Sequence, residues 1–175
     1  MKLPALTGRS GLGIMPTIRG SNRLRKEAVL ERYPIERCTT AETIEMARAI
    51  RRTVFVSEQH INPAIEDDGM DAEAVHFLAF ADGEAAGTVR LIPMGDEIKL
   101  GRMAVKPLFR RQGIGRQMVK YVLEYAREQG ISAVVLNAQA SARAFYFAMG
   151  FVEEGEPFLE AGIPHQRMRL RVYPK

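Results

Sequence analysis

Apolar and polar positions recur along this chain with two periods, and the switches between them outline its elements. Tyr33 to Thr39 (YPIERCT) predicts a first strand. Thr40 then stands as an N-cap, with Thr43 at the capping-box position. Ile44, Ala47, Ile50 and Val54 follow at helical spacing and predict a helix from about Ala41 to Ser57. Ile61 to Asp71 is a loop holding Pro63, Gly69 and the carboxylates Glu66, Asp67, Asp68 and Asp71, with Glu73 just beyond. Val75–Phe80 and Gly87–Ile92 are strands joined through Asp82-Gly83, a hairpin signal. A strand at Lys99–Lys106 is closed by Pro107, which cannot continue a sheet ladder. A helix starts near Gly113, with Ile114, Met118, Val122, Leu123 and Ala126 on one face and Gly130 as its stop. Ile131–Ala138 is nearly all apolar, the mark of a buried strand. Gln139–Met149 reads as a helix closed by Gly150, and Phe151–Phe158 and Pro164–Val172 as two last strands. The order β-α-β-β-β-α-β-α-β-β belongs to the α/β class.

The chemistry concentrates between the strand at Lys99–Lys106 and the helix after it, in Arg110-Arg111-Gln112-Gly113-Ile114-Gly115-Arg116. Two glycines let backbone amides approach a ligand closely. Those amides sit at the positive end of a helix, where an anion is favoured. Arg110, Arg111 and Arg116 flank the turn, and guanidinium groups suit bidentate phosphate contacts. The local physics describes a diphosphate cradle. It is not a P-loop, since no Gly-Lys-Ser/Thr follows, and the third glycine of a dinucleotide fingerprint is replaced by Met118.

Composition narrows the class. A chain of 175 residues is most simply one domain with a real core, and 46% apolar with 26% charged residues is ordinary for a globular protein. No apolar run approaches the ~20 residues that span a membrane. One cysteine, Cys38, excludes an internal disulfide framework, fits a reducing compartment and makes the cytoplasm the expected location. It has no matching Cys/His cluster, so no metal site is expected and a small buried strand residue is its reading. The charge is uneven. Residues 1–34 carry Lys2, Arg9, Arg19, Arg23, Arg25, Lys26 and Arg32 against Glu27 and Glu31, a net of +5 within a chain total of +4. Residues 1–33 therefore read as a basic, flexible extension, with a short helix at Arg23–Arg32, ahead of a folded domain at 34–175. A nucleic-acid role for the arm would show as salt-sensitive binding lost with residues 1–32, and is the less favoured reading.

Arg110, Gly113 and Gly115 form an Arg/Gln-x-x-Gly-x-Gly pattern that resembles the acetyl-coenzyme A motif of the GNAT (GCN5-related) N-acetyltransferases. QASARAFYFAMGF (Gln139–Phe151) resembles that family's last-helix motif, N-x-x-A-x-x-x-Y-x-x-x-G-F, with Gln139 where Asn is commoner. RRTVFVSEQ (Arg51–Gln59), the Asp68–Asp71–His76 spacing, LGRMAV and GIPHQRM (Gly162–Met168) resemble the family's ElaA-like branch. The resemblance covers roughly 34–172 and implies the GNAT fold, a mixed central sheet of six to seven strands flanked by helices.

It also implies an activity: transfer of acetyl from acetyl-CoA to a primary amine of a small molecule or peptide. The alternative is a non-catalytic CoA-binding sensor or interaction protein, against which the retained Tyr146 weighs. By position, the backbone at Met103, Ala104 and Val105 would align the pantetheine arm where a bulge splays the sheet. Gln112, Gly113, Ile114, Gly115 and Arg116, with Arg110 and Arg111, would hold the pyrophosphate, and Gln139 and Phe145 would complete the cofactor site. Tyr146 stands at the position of the usual general acid. Candidate bases are Glu66, Asp68, Asp71, His76 and His165, with His165 preferred for the acceptor pocket. Acyl-homoserine-lactone synthases share the fold but rely on tryptophan, which this chain lacks. The acidic loop at 66–73 hints at a cationic acceptor, and exposed sheet edges make a homodimer reasonable.

Overall fold

The computed structural model describes residues 32–173. The basic arm and its expected helix lie outside the described residues, apart from Arg32 and Tyr33. The elements are β1 (Ile35–Arg37), α1 (Ala41–Arg51), α2 (Pro63–Glu66), β2 (Val75–Ala81), β3 (Glu84–Met94), β4 (Glu97–Val105), α3 (Ile114–Glu128), β5 (Ala133–Gln139), α4 (Arg143–Phe147), β6 (Val152–Glu153), β7 (Phe158–Glu160) and β8 (Ile163–Arg171). They form one mixed eight-stranded sheet in the order β1-β2-β3-β4-β5-β8-β6, with β7 added beside β8.

Local chemistry explains most boundaries. The Thr40 hydroxyl accepts from the Thr43 amide, and the Thr43 hydroxyl accepts from the Thr40 amide, so a threonine does the work usually given to glutamate. After Arg51 the helix widens into a π-helical turn, Arg52–Glu58, which carries Phe55, Glu58 and Gln59 to the cleft described below. Asp82-Gly83 makes the expected two-residue hairpin, both residues left-handed.

Three expectations are corrected. The strands at 87–92 and 99–106 belong to one longer hairpin, β3–β4, which turns at Gly95-Asp96 and ends at Val105. Pro93 near the strand end does not break it. The strand at 151–158 divides, because Gly155 has φ 71°, into β6 and β7, which gives eight strands rather than six or seven. The last helix is short, since Gln139 completes β5 and only Arg143–Phe147 is α-helical.

Helices cover both sheet faces, which is why the inner strands read as continuous apolar runs. On one face α3 buries Ile114, Met118, Val119, Val122 and Ala126 against Phe77, Val89, Leu91, Leu100 and Leu136. Phe77 meets Tyr121 and Tyr125 edge-on, with ring centroids 5.1 and 5.3 Å apart. On the other face α1 packs Ala47 and Ile50 on Leu78, Ala85 and Ala104, with Cys38 buried among them. Burial pushes the Cys38 thiol above its ordinary pKa, as expected of a packed rather than a reactive cysteine. Tyr33 is buried too. Its hydroxyl donates to the Gln112 carbonyl at 3.0 Å, pinning the chain's entry to the turn before α3.

Candidate active site

The site opens where two neighbouring strands part. β4 and β5 pair in parallel only from Glu97/Ala133 to Leu100/Leu136. Against β3, Ala104 faces Thr88 and Gly101 faces Arg90, so Arg102 and Met103 together oppose the single residue Val89. This is a β-bulge, and Arg102 adopts φ 47°, a left-handed conformation that costs a non-glycine residue energy. Its guanidinium donates to the Ile65 carbonyl at 2.9 Å and the Glu66 carbonyl at 3.1 Å. It also meets the Asp68 carboxylate at 3.1 Å. The bulge is thus tied to the loop across the cleft.

Beyond Val105 the chain turns into α3. Arg111 has φ 61° and Gly113 φ 94°. The helix has no side-chain N-cap, so its first amides have no acceptor from a capping side chain. Gly115 lies against the bulge: a Cβ there would sit 3.2 Å from Met103 Cε and 3.7 Å from Phe145 Cζ. Of the sequence-predicted residues, Met103, Ala104, Val105, Arg110, Arg111, Gly113, Ile114, Gly115, Arg116 and Phe145 line one groove of about 550 Å³. It shares Met103, Ala104, Val105, Arg110 and Tyr146 with a larger cleft of about 840 Å³.

Three side chains take other roles than direct ones in the turn. Arg110 clamps both carboxylate oxygens of Glu58 at 2.7 and 2.6 Å and donates to the Val105 carbonyl at 2.9 Å. The Gln112 amide donates to the Leu108 carbonyl, and Gln112 is absent from the lining of both the groove and the cleft. Gln139 lies in the larger cleft, donating to Gln59 Oε1 at 2.8 Å. Arg111 and Arg116 are exposed at the groove.

Tyr146 sits at the junction, 8% exposed, edge-on to Phe145 and Phe151. Its hydroxyl donates to Met103 Sδ at 3.5 Å. Burial pushes the phenol well above its ordinary pKa of 10, so it keeps its proton throughout the physiological range. His165 faces Gln139 across the β5–β8 ladder, stacks on Phe158 and lines the larger cleft. Its Nδ1 lies 2.8 Å from the Ile163 carbonyl oxygen. A carbonyl only accepts, so Nδ1 carries the hydrogen and Nε2 is left as the acceptor nitrogen.

The other candidate bases are spent on structure. Arg51, 1% exposed, pairs with Glu66 and donates to both Asp71 oxygens at 2.8 and 2.9 Å. Arg90 bridges Asp68 at 2.6 Å and Asp71 at 2.8 Å. The Arg90 hydrogen bonds hold the Asp68 carboxyl down at about 2. Asp71 is held well below the usual carboxylate range by Arg90, Arg51 and Arg48, which outweigh the opposing effect of burial. Burial lowers the pKa of His76, whose Nε2 meets the Asp71 carbonyl at 3.2 Å. Glu66, Asp68 and Asp71 are therefore paired by arginines from neighbouring elements, which weakens the hint the loop gave of a cationic acceptor.

Several site residues escaped sequence reasoning. Glu58, Arg102, Asn137 and Glu160 all line the larger cleft. Asn137 Nδ2 donates to Glu160 Oε2 at 2.7 Å, and the two-residue turn Ala161-Gly162, left-handed at both positions, places Glu160 there.

A sheet splayed at a bulge, a helix N-terminus without a capping side chain beside it and a buried phenol at their junction make up the site. The acetyltransferase (GNAT) domain family matches residues 35–172, and the chain belongs to that family. It is 34% identical to the uncharacterised Bacillus subtilis protein YyaT over 79% of this chain and 95% of the relative. Two solved structures share the fold closely. An acyl-CoA N-acyltransferase from Pseudomonas aeruginosa is 31% identical with a TM-score of 0.70, covering 78% of this chain and 97% of its own. Escherichia coli ElaA is 26% identical with a TM-score of 0.70, covering 78% and 98%.

Proposed function

We propose that this acetyltransferase moves the acetyl group of acetyl-CoA directly to a primary amine of a small molecule or peptide. The observation that carries the reading is the continuity of the groove and cleft: the uncapped start of α3, the bulge at Met103 and the Tyr146 hydroxyl line one connected surface. That surface fits the carrier. The α3 amides and the exposed Arg111 and Arg116 suit a diphosphate, and Gly115 keeps open a passage that a Cβ would narrow against Met103 and Phe145.

Acetyl-CoA, when bound, supplies an acyl group activated as a thioester. The chain does the rest. The backbone from Met103 to Val105, unpaired with β5, is suited to an extended ligand arm lying alongside it. The Met103 or Ala104 amide serves as hydrogen-bond donor to the acyl oxygen, a contribution of ~3 kcal/mol in such sites. Tyr146 Oη holds a proton for the departing sulfur. The surroundings that raise the phenol also raise a thiolate placed beside it, so the transfer stays feasible. His165 Nε2 is the acceptor for the amine proton.

The test is acetyl-CoA consumption against a panel of amines, with calorimetry of acetyl-CoA binding beside it. Turnover of at least one amine, with binding weakened about tenfold in Arg111→Ala, supports the reading. Failure to bind acetyl-CoA at millimolar concentration removes it.

A further inference from the structure

Most of the charge on the walls of the larger cleft cancels internally. Glu58 is held by Arg110. Glu66 and Asp68 are held by Arg51, Arg90 and Arg102. One carboxylate and one ammonium on those walls are left without an opposite charge among the described residues. Glu160, at the end of β7, accepts from Asn137 through Oε2 alone, and its Oε1 is unclaimed. Lys99, half-buried on β4, has no carboxylate partner.

The sheet brings Lys99 close to Asn137, the partner of Glu160. Lys99 lies opposite Val135 in the β4–β5 ladder, and Asn137 follows two residues along β5 on the same face. That register separates the Lys99 and Asn137 Cα atoms by ~8 Å, and both side chains line the one cleft. Ile65, Met70 and Met94 line the same cleft and are large apolar side chains left exposed, at 49%, 38% and 44%. Apolar surface at the mouth of a polar cleft is where a ligand's hydrocarbon would be covered.

We propose that the acceptor is an amino acid with an apolar side chain. Its ammonium meets the Glu160–Asn137 pair, its carboxylate meets Lys99, and its side chain lies on Ile65, Met70 and Met94. This rests on the acetyl-transfer reading above and narrows it. In balance, a nitrogen–carbon bond forms as the carbon–sulfur bond breaks. The ammonium gives up two protons, one ending on sulfur and one in solvent.

L-phenylalanine and phenethylamine, which differ only by the carboxylate, test the assignment at saturating acetyl-CoA. The expected kcat/KM is about tenfold higher for L-phenylalanine, as one charge-assisted contact provides. Lys99→Met should abolish that preference, and Glu160→Gln should lower kcat/KM for both amines about tenfold. A second measurement does not need turnover: calorimetric titration of L-phenylalanine into the CoA-saturated protein, with affinity falling in both variants. Equal rates for the two amines, or L-phenylalanine that fails to bind the CoA-saturated protein, would overturn the proposal. Turnover of other amines that ignores both substitutions would remove this inference and leave acetyl transfer standing. Variant-sensitive binding of L-phenylalanine with no turnover of any amine would overturn both, leaving a binding site and no acceptor.

Discussion

Tyr146 and Asp68 show how one fold gives ionisable side chains opposite assignments. The phenol is enclosed by aromatic rings with only a thioether as partner, so its proton stays. Tyr146→Phe removes that proton while keeping the ring, and kcat should fall roughly 10²-fold or more with little change in acetyl-CoA affinity, read by steady-state kinetics beside calorimetry. Asp68 is held ionised by Arg90 at about 2, below its ordinary 3.8. A carboxyl depressed on folding contributes stability that is present above its unfolded value and lost as pH falls through the folded one. Asp68→Asn should therefore lower Tm at pH 7 and flatten its decline between pH 3.8 and about 2, a window that thermal melts across pH would read. His76 acts in the same direction at milder acidity. Burial lowers its pKa, so the unfolded chain takes up a proton first and stability drops as pH falls below 6.5.

The elements differ in how far the sequence foretold them. α3 was plain because its apolar spacing is strict, and each of Ile114, Met118, Val122, Leu123 and Ala126 is buried as the period requires. Met118→Ala should cost about 2–5 kcal/mol by chemical denaturation, since the side chain is fully enclosed between helix and sheet. The β3–β4 hairpin runs past the segments expected as strands and through Pro93, which at a strand end costs the ladder little. The turn ahead of α3 was legible from its two glycines, but Arg110's partner was not, since Glu58 lies 52 residues away on a π-helical turn. The pairing of Asp68 was illegible for the same reason: Arg90 and Arg102 reach it across 22 and 34 residues. At the turn itself, Gly113→Asn and Gly113→Asp place the same demand on a φ of 94°. The aspartate adds a negative charge where a diphosphate would sit. Acetyl-CoA affinity should therefore fall about tenfold further in the aspartate variant than in the asparagine one, by calorimetry.

At the scale of the molecule, the sheet is both scaffold and opening: its strands are buried on two faces until β4 leaves β5, and the cleft begins there. The family expectation of a bulge at this point agrees with the register, which slips at Arg102 and Met103. Sequence could not tell which side chain would hold that slip in place. Arg102 does so by gripping the main chain at Ile65 and Glu66 while its own backbone sits in a left-handed state. Arg102→Gly relieves the backbone and loses the grip, whereas Arg102→Ala loses the grip and retains the strain. The alanine variant should thus melt lower than the glycine one, while both show altered kcat and KM together. A single residue in this way yokes the bulge to the 65–68 segment across the cleft. Any remodelling of the 65–68 segment to admit a different nucleophile would be felt at the peptide beside Met103, so a change of taste in one substrate should bring a change of pace with the other.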